Sequence, residues 1–282
     1  MLYQASSSIK GIPKKGFSKN DVLLQDANNL EVKYIKQPLY ILWKIVFVLN
    51  FLGTMVLLYP FFYIALSRKP WYKYAFVLQK FWARLLTMPM GIFFSIKRKG
   101  TPKKGQTYIY CANHSSYIDI IMCYCTISDY FIFMGKQELQ KAPLFNIFFR
   151  DMNILVNRKS NFGSHKALQT AGERLDMGQS LIIFPEGTIS KEAPKLRPFK
   201  YGAFKLAIEK QLPIIPITYL NNFMLLQDKA FLKGNGRPGI SRVIVHEAVE
   251  TKGLTVDDVE MLKNKVEQII RQPLLEYYSF LN

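Results

Sequence analysis

From residue 92 onward the chain alternates short apolar runs with stretches of helical period, and few folds tolerate that alternation. The runs "TYIYCA", "YFIFMG", "NILVN", "SLIIFP", "PIIPITY" and "RVIVHEAV" have the length and the β-branched and aromatic content of buried strands. Between them, residues 116–127, 163–177 and 200–210 repeat apolar positions at the spacing of one helix face. A last helix is predicted over 256–271, with Thr255 as N-cap and Asp257 and Asp258 in its first turn, where carboxylates meet the positive end of the helix dipole. Strands joined through helices pair in parallel. Residues 92–282 therefore read as an α/β domain with a mostly parallel central sheet flanked by helices.

Two segments precede this domain: a basic stretch, 1–38, and a hydrophobic, membrane-binding helical segment, 39–91. The run "LYILWKIVFVLNFLGTMVLLYPFFYIAL", residues 39–66, holds one charge, Lys44. At a helical rise of about 1.5 Å per residue it is long enough to cross a hydrocarbon core of about 30 Å. Basic residues flank it on both sides, Lys33 and Lys36 before and Arg68, Lys69 and Lys73 after, so charge asymmetry chooses no orientation. A segment bent near Gly53 or Pro60 would keep both flanks on one, cytoplasmic side. In the next stretch, "WYKYAFVLQKFWARLLT", Lys73, Lys80, Arg84 and Thr87 fall on one helical face, the pattern of a helix lying among lipid headgroups. The first 38 residues show neither a short apolar core nor a small-residue cleavage site, so no signal peptide is predicted.

Charge narrows the class of partner. Thirty-eight Lys and Arg against twenty Asp and Glu give a formal charge of +18, a surface that seeks polyanions. With 49% hydrophobic residues and the apolar run above, that polyanion is expected to be the anionic face of a membrane and not nucleic acid. Three cysteines, Cys111, Cys123 and Cys125, have no CxxC spacing, which indicates neither a disulfide framework nor a zinc site and fits a reducing compartment. No metal ligand set is expected.

Two loops carry the chemistry. "NHSSYID", residues 113–119, follows the apolar strand "YIYCA", at the strand end where open α/β sheets hold their ligands. Ser116-x-x-Asp119 could simply cap a helix. Alternatively, His114 precedes the helix, Asp119 on the first turn fixes its tautomer, and the free ring nitrogen takes a proton from an alcohol. The residues alone leave both readings open. The second loop, "LIIFPEGT", places Glu186, Gly187 and Thr188 after another strand, with Gly187 permitting close backbone approach and Thr188 offering a hydroxyl and an amide to an anion. His165, His246 and Cys111 read as surface, packed and core residues, and Lys97, Arg98, Lys99, Lys103 and Lys104 as a solvated turn or a contact for anionic lipid or an acidic carrier protein.

His-x4-Asp followed by Phe-Pro-Glu-Gly-Thr resembles the 1-acylglycerol-3-phosphate acyltransferases (lysophosphatidic acid acyltransferases) of the glycerolipid acyltransferase superfamily. "GKQELQKAPLFNIFFRDMNILVNRKS" and "PFKYGAFKLAIEKQLPIIPITY" resemble further blocks of that family, so the likeness spans about residues 92–222. The resemblance implies acyl transfer from a coenzyme A or acyl-carrier-protein thioester, as co-substrate and without a cofactor, to the sn-2 hydroxyl of 1-acylglycerol 3-phosphate. It makes His114 the general base and Asp119 its orienter, with Lys136, Arg158, Glu186, Gly187, Thr188 and Lys200 binding substrate, at the cytoplasmic face of the cell membrane. Two positions depart from the family pattern. Ile189 stands where the family usually has an arginine that holds the acceptor phosphate, and Met152 stands at or near a glycine. Either Lys136, Arg158 and Lys200 then carry the phosphate, or the acceptor is another lyso-lipid.

Overall fold

The computed structural model describes residues 19–158 and 160–278. By its contacts the chain divides into residues 1–39 and residues 40–282, and the whole sheet lies in the second unit. A long helix, α1 (Lys19–Ala65), runs to a short 3-10 turn and then α2 (Tyr72–Thr87). The sheet elements follow: β1 (Ile92–Arg98), β2 (Ile109–Ala112), α3 (Ile118–Thr126), β3 (Phe131–Lys136), β4 (Ile154–Val156), α4 (Asn161–Asp176) and β5 (Ser180–Ile183). The remainder is α5 (Gly202–Glu209), β6 (Ile214–Tyr219), the single turn α6 (Asn222–Leu225), β7 (Gly239–Val245) and α7 (Val259–Tyr277). Seven strands order as β1-β7-β6-β2-β5-β3-β4, parallel throughout except for β6 against β7. The α/β class and the mostly parallel sheet are as the alternation of runs required.

Both faces of the sheet are covered, which is why its strands are continuous apolar runs. Along β2, Ile109 and Cys111 point into one core with α4, α5 and α7 residues such as Ala171, Phe204 and Val266. Tyr110 and Ala112 point into the other, shared with Ile118 and Met122 of α3 and with Phe47, Tyr72 and Phe76. The start of the last helix is also as read: Thr255 and Asp258 form a capping box, each side chain meeting the other's backbone amide.

Three local expectations change. The stretch read as a lysine-bearing turn contains the end of a strand: Lys97 and Arg98 close β1, a sheet edge paired in parallel with β7 from Ile92↔Gly239 to Arg98↔Val245. Its polar end fits an edge position, where one side of the ladder is open to water. The apolar helix is unbroken at Gly53 and Pro60 and turns only after Ala65. Thr87 is fully buried, its hydroxyl donating to the Ala83 carbonyl at 2.9 Å, so it does not belong to an exposed stripe with Lys73 and Arg84.

Residues 40–65 of α1 are apolar on two opposite faces. Met55, Leu58 and Phe62 pack with Trp82 and Leu86 of α2 and with Ile147 and Phe148. Lys44, the one charge of the run, is buried and donates to the Gly234 carbonyl at 2.6 Å and to that of Phe231. The other face leaves Leu42, Leu49 and Leu57 between 58% and 68% exposed. On α2, Tyr74, Val77 and Phe81 are at least half exposed and lie at helical spacing on one face. Over Lys36–Ala65 the helix is long and apolar enough to cross a membrane.

Candidate active site

The first loop leaves the sheet at a defined angle because Asn113 prolongs it with a side chain. Its Nδ2 donates to the Tyr219 carbonyl at 3.0 Å, and its Oδ1 accepts from the Tyr219 amide at 2.8 Å, continuing the pairing of β2 with β6. The chain then turns through His114, Ser115 and Ser116 into α3. Asp119, in the first turn of α3 and fully buried, gathers that loop onto itself. Its Oδ2 accepts from the Ser115 amide at 2.6 Å and the Ser116 amide at 2.8 Å and lies 2.9 Å from Nδ1 of His114. Its Oδ1 accepts from Nδ2 of Asn222 at 2.7 Å, and Asn222 is itself fixed by the Ser241 hydroxyl at 2.6 Å.

The carboxylate that gathers the loop amides is therefore the same one that meets the histidine ring. Half of the capping box is present, since Asp119 receives the Ser116 amide, but the Ser116 hydroxyl accepts from the Ile118 amide at 3.2 Å in place of the Asp119 amide, and donates to the Leu226 carbonyl at 2.5 Å. An acceptor at Nδ1 puts the ring proton there and leaves Nε2 with its lone pair. Among the described residues Nε2 has no partner, and the ring stacks on Phe184 with centroids 4.1 Å apart and planes 17° from parallel. That is the disposition of a general base held ready for an external hydroxyl.

The second loop grips the backbone of the first. After β5, Gly187 takes a positive φ of 73° and its amide closes a turn onto the Phe184 carbonyl at 2.9 Å. Glu186, 3% exposed, accepts from the His114 amide at 2.7 Å through Oε1 and from the Arg197 amide at 2.8 Å through Oε2. Ser190 donates its amide to the His114 carbonyl at 2.9 Å. His114 is thus held through its N–H, its C=O and its ring. Burial pushes the Glu186 carboxyl up to about 7, against the pull of the two amide hydrogen bonds.

The remaining predicted site residues divide. Glu186, expected among the substrate-binding residues, is a buried anchor with both oxygens engaged. Arg158 donates from Nη1 to the Gly187 carbonyl at 2.6 Å, and Lys200 brings Cε and Nζ to 2.9 Å from where a Cβ on Gly187 would stand. A side chain at Gly187 would push the flexible end of that lysine aside and would have to adopt the positive φ that favours glycine. Thr188 lies exposed beside them. Lys136 pairs at 3.6 Å with Glu138, both more than half exposed, and among the described residues no hydrogen bond or ion pair joins its side chain to the histidine loop. Sequence reading passed over Asn113, Phe184 and Asn222. The first two lie inside the motifs, as the first residues of "NHSSYID" and of Phe-Pro-Glu-Gly-Thr, and were given no role, while Asn222 follows the apolar strand β6, where a polar side chain at a strand's carboxyl end was the available signal. Among the described residues no three His, Cys, Asp or Glu side chains gather as a metal site.

Known proteins resemble this chain. A family model described as Acyltransferase matches residues 94–220, which contain both loops. A putative 1-acyl-sn-glycerol-3-phosphate acyltransferase of Caenorhabditis elegans is 31% identical over 67% of this chain and 72% of its own length. A 1-acyl-sn-glycerol-3-phosphate acyltransferase of Chlamydomonas reinhardtii is 29% identical over 76% of this chain and 66% of its own. The chain thus spans about two thirds of the length of these curated relatives. The crystal structure of the 1-acyl-sn-glycerophosphate (LPA) acyltransferase PlsC from Thermotoga maritima superposes with a TM-score of 0.70 over 87% of this chain and 97% of that one, at 23% identity, a likeness of fold. With the two loops, the sheet that carries them and these relatives in agreement, the chain belongs to the 1-acyl-sn-glycerol-3-phosphate acyltransferase family of enzymes.

Proposed function

We propose that the protein transfers a fatty acyl group from a coenzyme A or acyl-carrier-protein thioester to the sn-2 hydroxyl of 1-acylglycerol 3-phosphate, giving phosphatidic acid. The observation that carries this reading is the 2.9 Å contact between His114 Nδ1 and the buried Asp119, with Nε2 left open. Nε2 takes the proton of the acceptor hydroxyl as its oxygen attacks the thioester carbonyl. The tetrahedral oxyanion collapses, the C–S bond breaks, and the proton returns from the imidazolium to the leaving thiolate. Asp119 stabilises the imidazolium between these steps and also locks the loop that carries it. The oxyanion needs fixed donors. The amides of Ser115, Ser116 and Gly187 are already engaged, which leaves the buried Ser115 hydroxyl, without a hydrogen-bond partner among the described residues, and the exposed Thr188 as available donors. Arg158 and Lys200 add positive charge at Gly187.

The work is done at a membrane, on this reading the cytoplasmic face of the cell membrane. The exposed apolar faces of residues 40–65 and of α2 are what a bilayer surface buries. Because the opposite face of residues 40–65 is docked on Trp82, Leu86 and Phe148, and Lys44 is buried against the 231–234 loop, this helix fits an in-plane position better than a free span. Three free cysteines suit the reducing interior, where acyl thioesters are made.

A second reading rests on Ile189, 8% exposed at the position where related chains usually place arginine: an acyltransferase acting on another lyso-lipid. Acyl transfer by the detergent-purified protein separates the two, with coenzyme A and carrier-protein donors and with lysophosphatidic acid set against lyso-phospholipid and lyso-aminolipid acceptors. Turnover on lysophosphatidic acid that disappears in His114→Ala is the expected result. Turnover confined to the other acceptors would replace the first reading with the second, and none on any acceptor would remove both.

A further inference from the structure

The family's arginine position is buried and apolar here, but the segment that follows it is basic. We infer that the acceptor's phosphate is held by Lys191, Lys195 and Arg197, in the crevice formed by the loop after Ile189. This deepens, and rests on, the acyl-transfer reading above. The crevice has a volume of about 240 Å³ and is lined by residues 190–192 and 195–198. An opening of that size has room for a phosphate with part of its glycerol.

Three observations carry the assignment. The first is position. Ser190 donates to the His114 carbonyl at 2.9 Å, and the Arg197 amide shares the Glu186 carboxylate with the His114 amide. Both ends of the loop are therefore fastened to the backbone of the catalytic histidine. A phosphorus that sits three covalent bonds from the carbon bearing the reacting hydroxyl must lie close to that histidine, and this loop is close.

The second observation is available charge. Lys191, Lys195 and Arg197 are exposed, and none of them takes part in an ion pair among the described residues. Lys136, by contrast, pairs with Glu138, and Arg158 spends a nitrogen on the Gly187 carbonyl. The two lysines bind a phosphate with no competing pair to break, and the guanidinium of Arg197, whose charge also acts on the buried Glu186 without an ion-pair contact, can meet two of its oxygens at once. The third observation is rigidity. The Ser190 hydroxyl donates to the Lys195 carbonyl at 2.9 Å, closing the loop on itself so that the three cations stand around one opening.

One group opposes the assignment. Glu192 lines the same crevice and would repel a dianion. That repulsion supplies a diagnostic of opposite sign, because removing Glu192 must improve phosphate binding if removing the cations weakens it.

The test uses the full chain in neutral detergent micelles, which present no anionic surface. kcat/KM is measured for lysophosphatidic acid and for the uncharged monoacylglycerol, and their ratio is compared among the wild type, Lys191→Gln with Lys195→Gln, Arg197→Gln and Glu192→Gln. The ratio cancels any change in the folded fraction, and Arg197→Gln keeps the backbone amide that Glu186 needs. The lysine pair and the arginine variant should each lower the ratio by about tenfold, as loss of charge-assisted contacts to phosphate predicts, and Glu192→Gln should raise it. An unchanged ratio in all three would overturn the inference while leaving acyl transfer intact. So would a rise confined to the KM of acyl-coenzyme A, which would assign the cations to the donor's phosphates. A wild type that acylates nothing would fell the acyl-transfer reading itself.

Discussion

Asp119 does two jobs with one carboxylate, and its partners separate them. Asp119→Asn keeps the size but presents an amide where the His114 ring and two loop amides need an acceptor, so the tautomer that frees Nε2 is lost. A rate drop of about 10²- to 10⁴-fold is expected, with the acceptor KM moving far less, in steady-state assays against both substrates. Asn222→Ala is milder. It removes one hydrogen bond to a buried carboxylate, worth about 1.5–3 kcal/mol in denaturation, and should lower kcat by roughly tenfold through looser aim of the ring. A variant with wild-type stability and rate would show that Oδ1 of Asp119 needs no donor. Glu186 gives a pH signature. Its carboxyl is raised from 4.5 to about 7 by burial. A group whose folded value lies above its unfolded one contributes stability in full below about 4.5 and loses it as pH rises through about 7. The loss is up to roughly 3 kcal/mol, most of it incurred between pH 5 and pH 8. Glu186→Gln should abolish that slope while loosening the His114 loop, since an amide has one acceptor for two donors. Parallel stability curves for the two proteins would rule the titration out.

The helices before the sheet show what a pattern can and cannot say. The apolar run predicted a helix, and one is there, but Pro60 and Gly53 did not break it, because tertiary packing of Met55, Leu58 and Phe62 against Trp82 and Phe148 holds the helix through both. That packing is long-range and leaves no local trace. β1 was hidden for a related reason: an edge strand alternates weakly and may end in charge, so Lys97 and Arg98 looked like a turn until β7 supplied a partner. The contact of His114 with Asp119 was legible because histidine, loop and aspartate are local. Asn222 and the Glu186 grip join residues 103 and 72 positions apart, and no spacing rule connects them. The exposed apolar face of residues 40–65 and α2 can be tested apart from the packed face of residues 40–65. Leu49→Glu with Val77→Glu should weaken partitioning onto neutral vesicles in flotation by about tenfold or more, each exposed apolar side chain being worth about 1.5–3 kcal/mol when buried. Phe62→Ala, whose ring meets Trp82 and Phe148 edge-on at 5.6 Å and 4.8 Å, should instead cost about 3–5 kcal/mol of folding stability. Equal effects of both changes on flotation would mean the exposed face is not the membrane face.

Across the whole molecule, a charge of +18 and an apolar face are two separate attractions to one surface, and salt tells them apart. Arg68, Lys69, Lys73 and Arg84 are exposed along the same short stretch as Tyr74, Val77 and Phe81, and Arg68 and Lys73 lie over the rings of Trp71 and Tyr74 at 5.2 Å and 5.1 Å. Cations anchored beside aromatic rings sit at headgroup depth when those rings enter the interface. Each basic residue near an anionic surface contributes about 1 kcal/mol, and the screening length falls from about 30 Å at 0.01 M salt to about 3 Å at 1 M. Binding to neutral vesicles should therefore be almost insensitive to salt. Adding anionic lipid should strengthen it more than tenfold at low salt, an advantage of that order disappearing near 1 M. Salt alone should never release the protein from neutral vesicles, whereas detergent should. Release by salt would mean the apolar face is not engaged. Salt-independent binding to anionic vesicles would mean that the charge faces elsewhere, and efficient competition by duplex DNA for the protein on those vesicles would return a nucleic-acid partner to consideration.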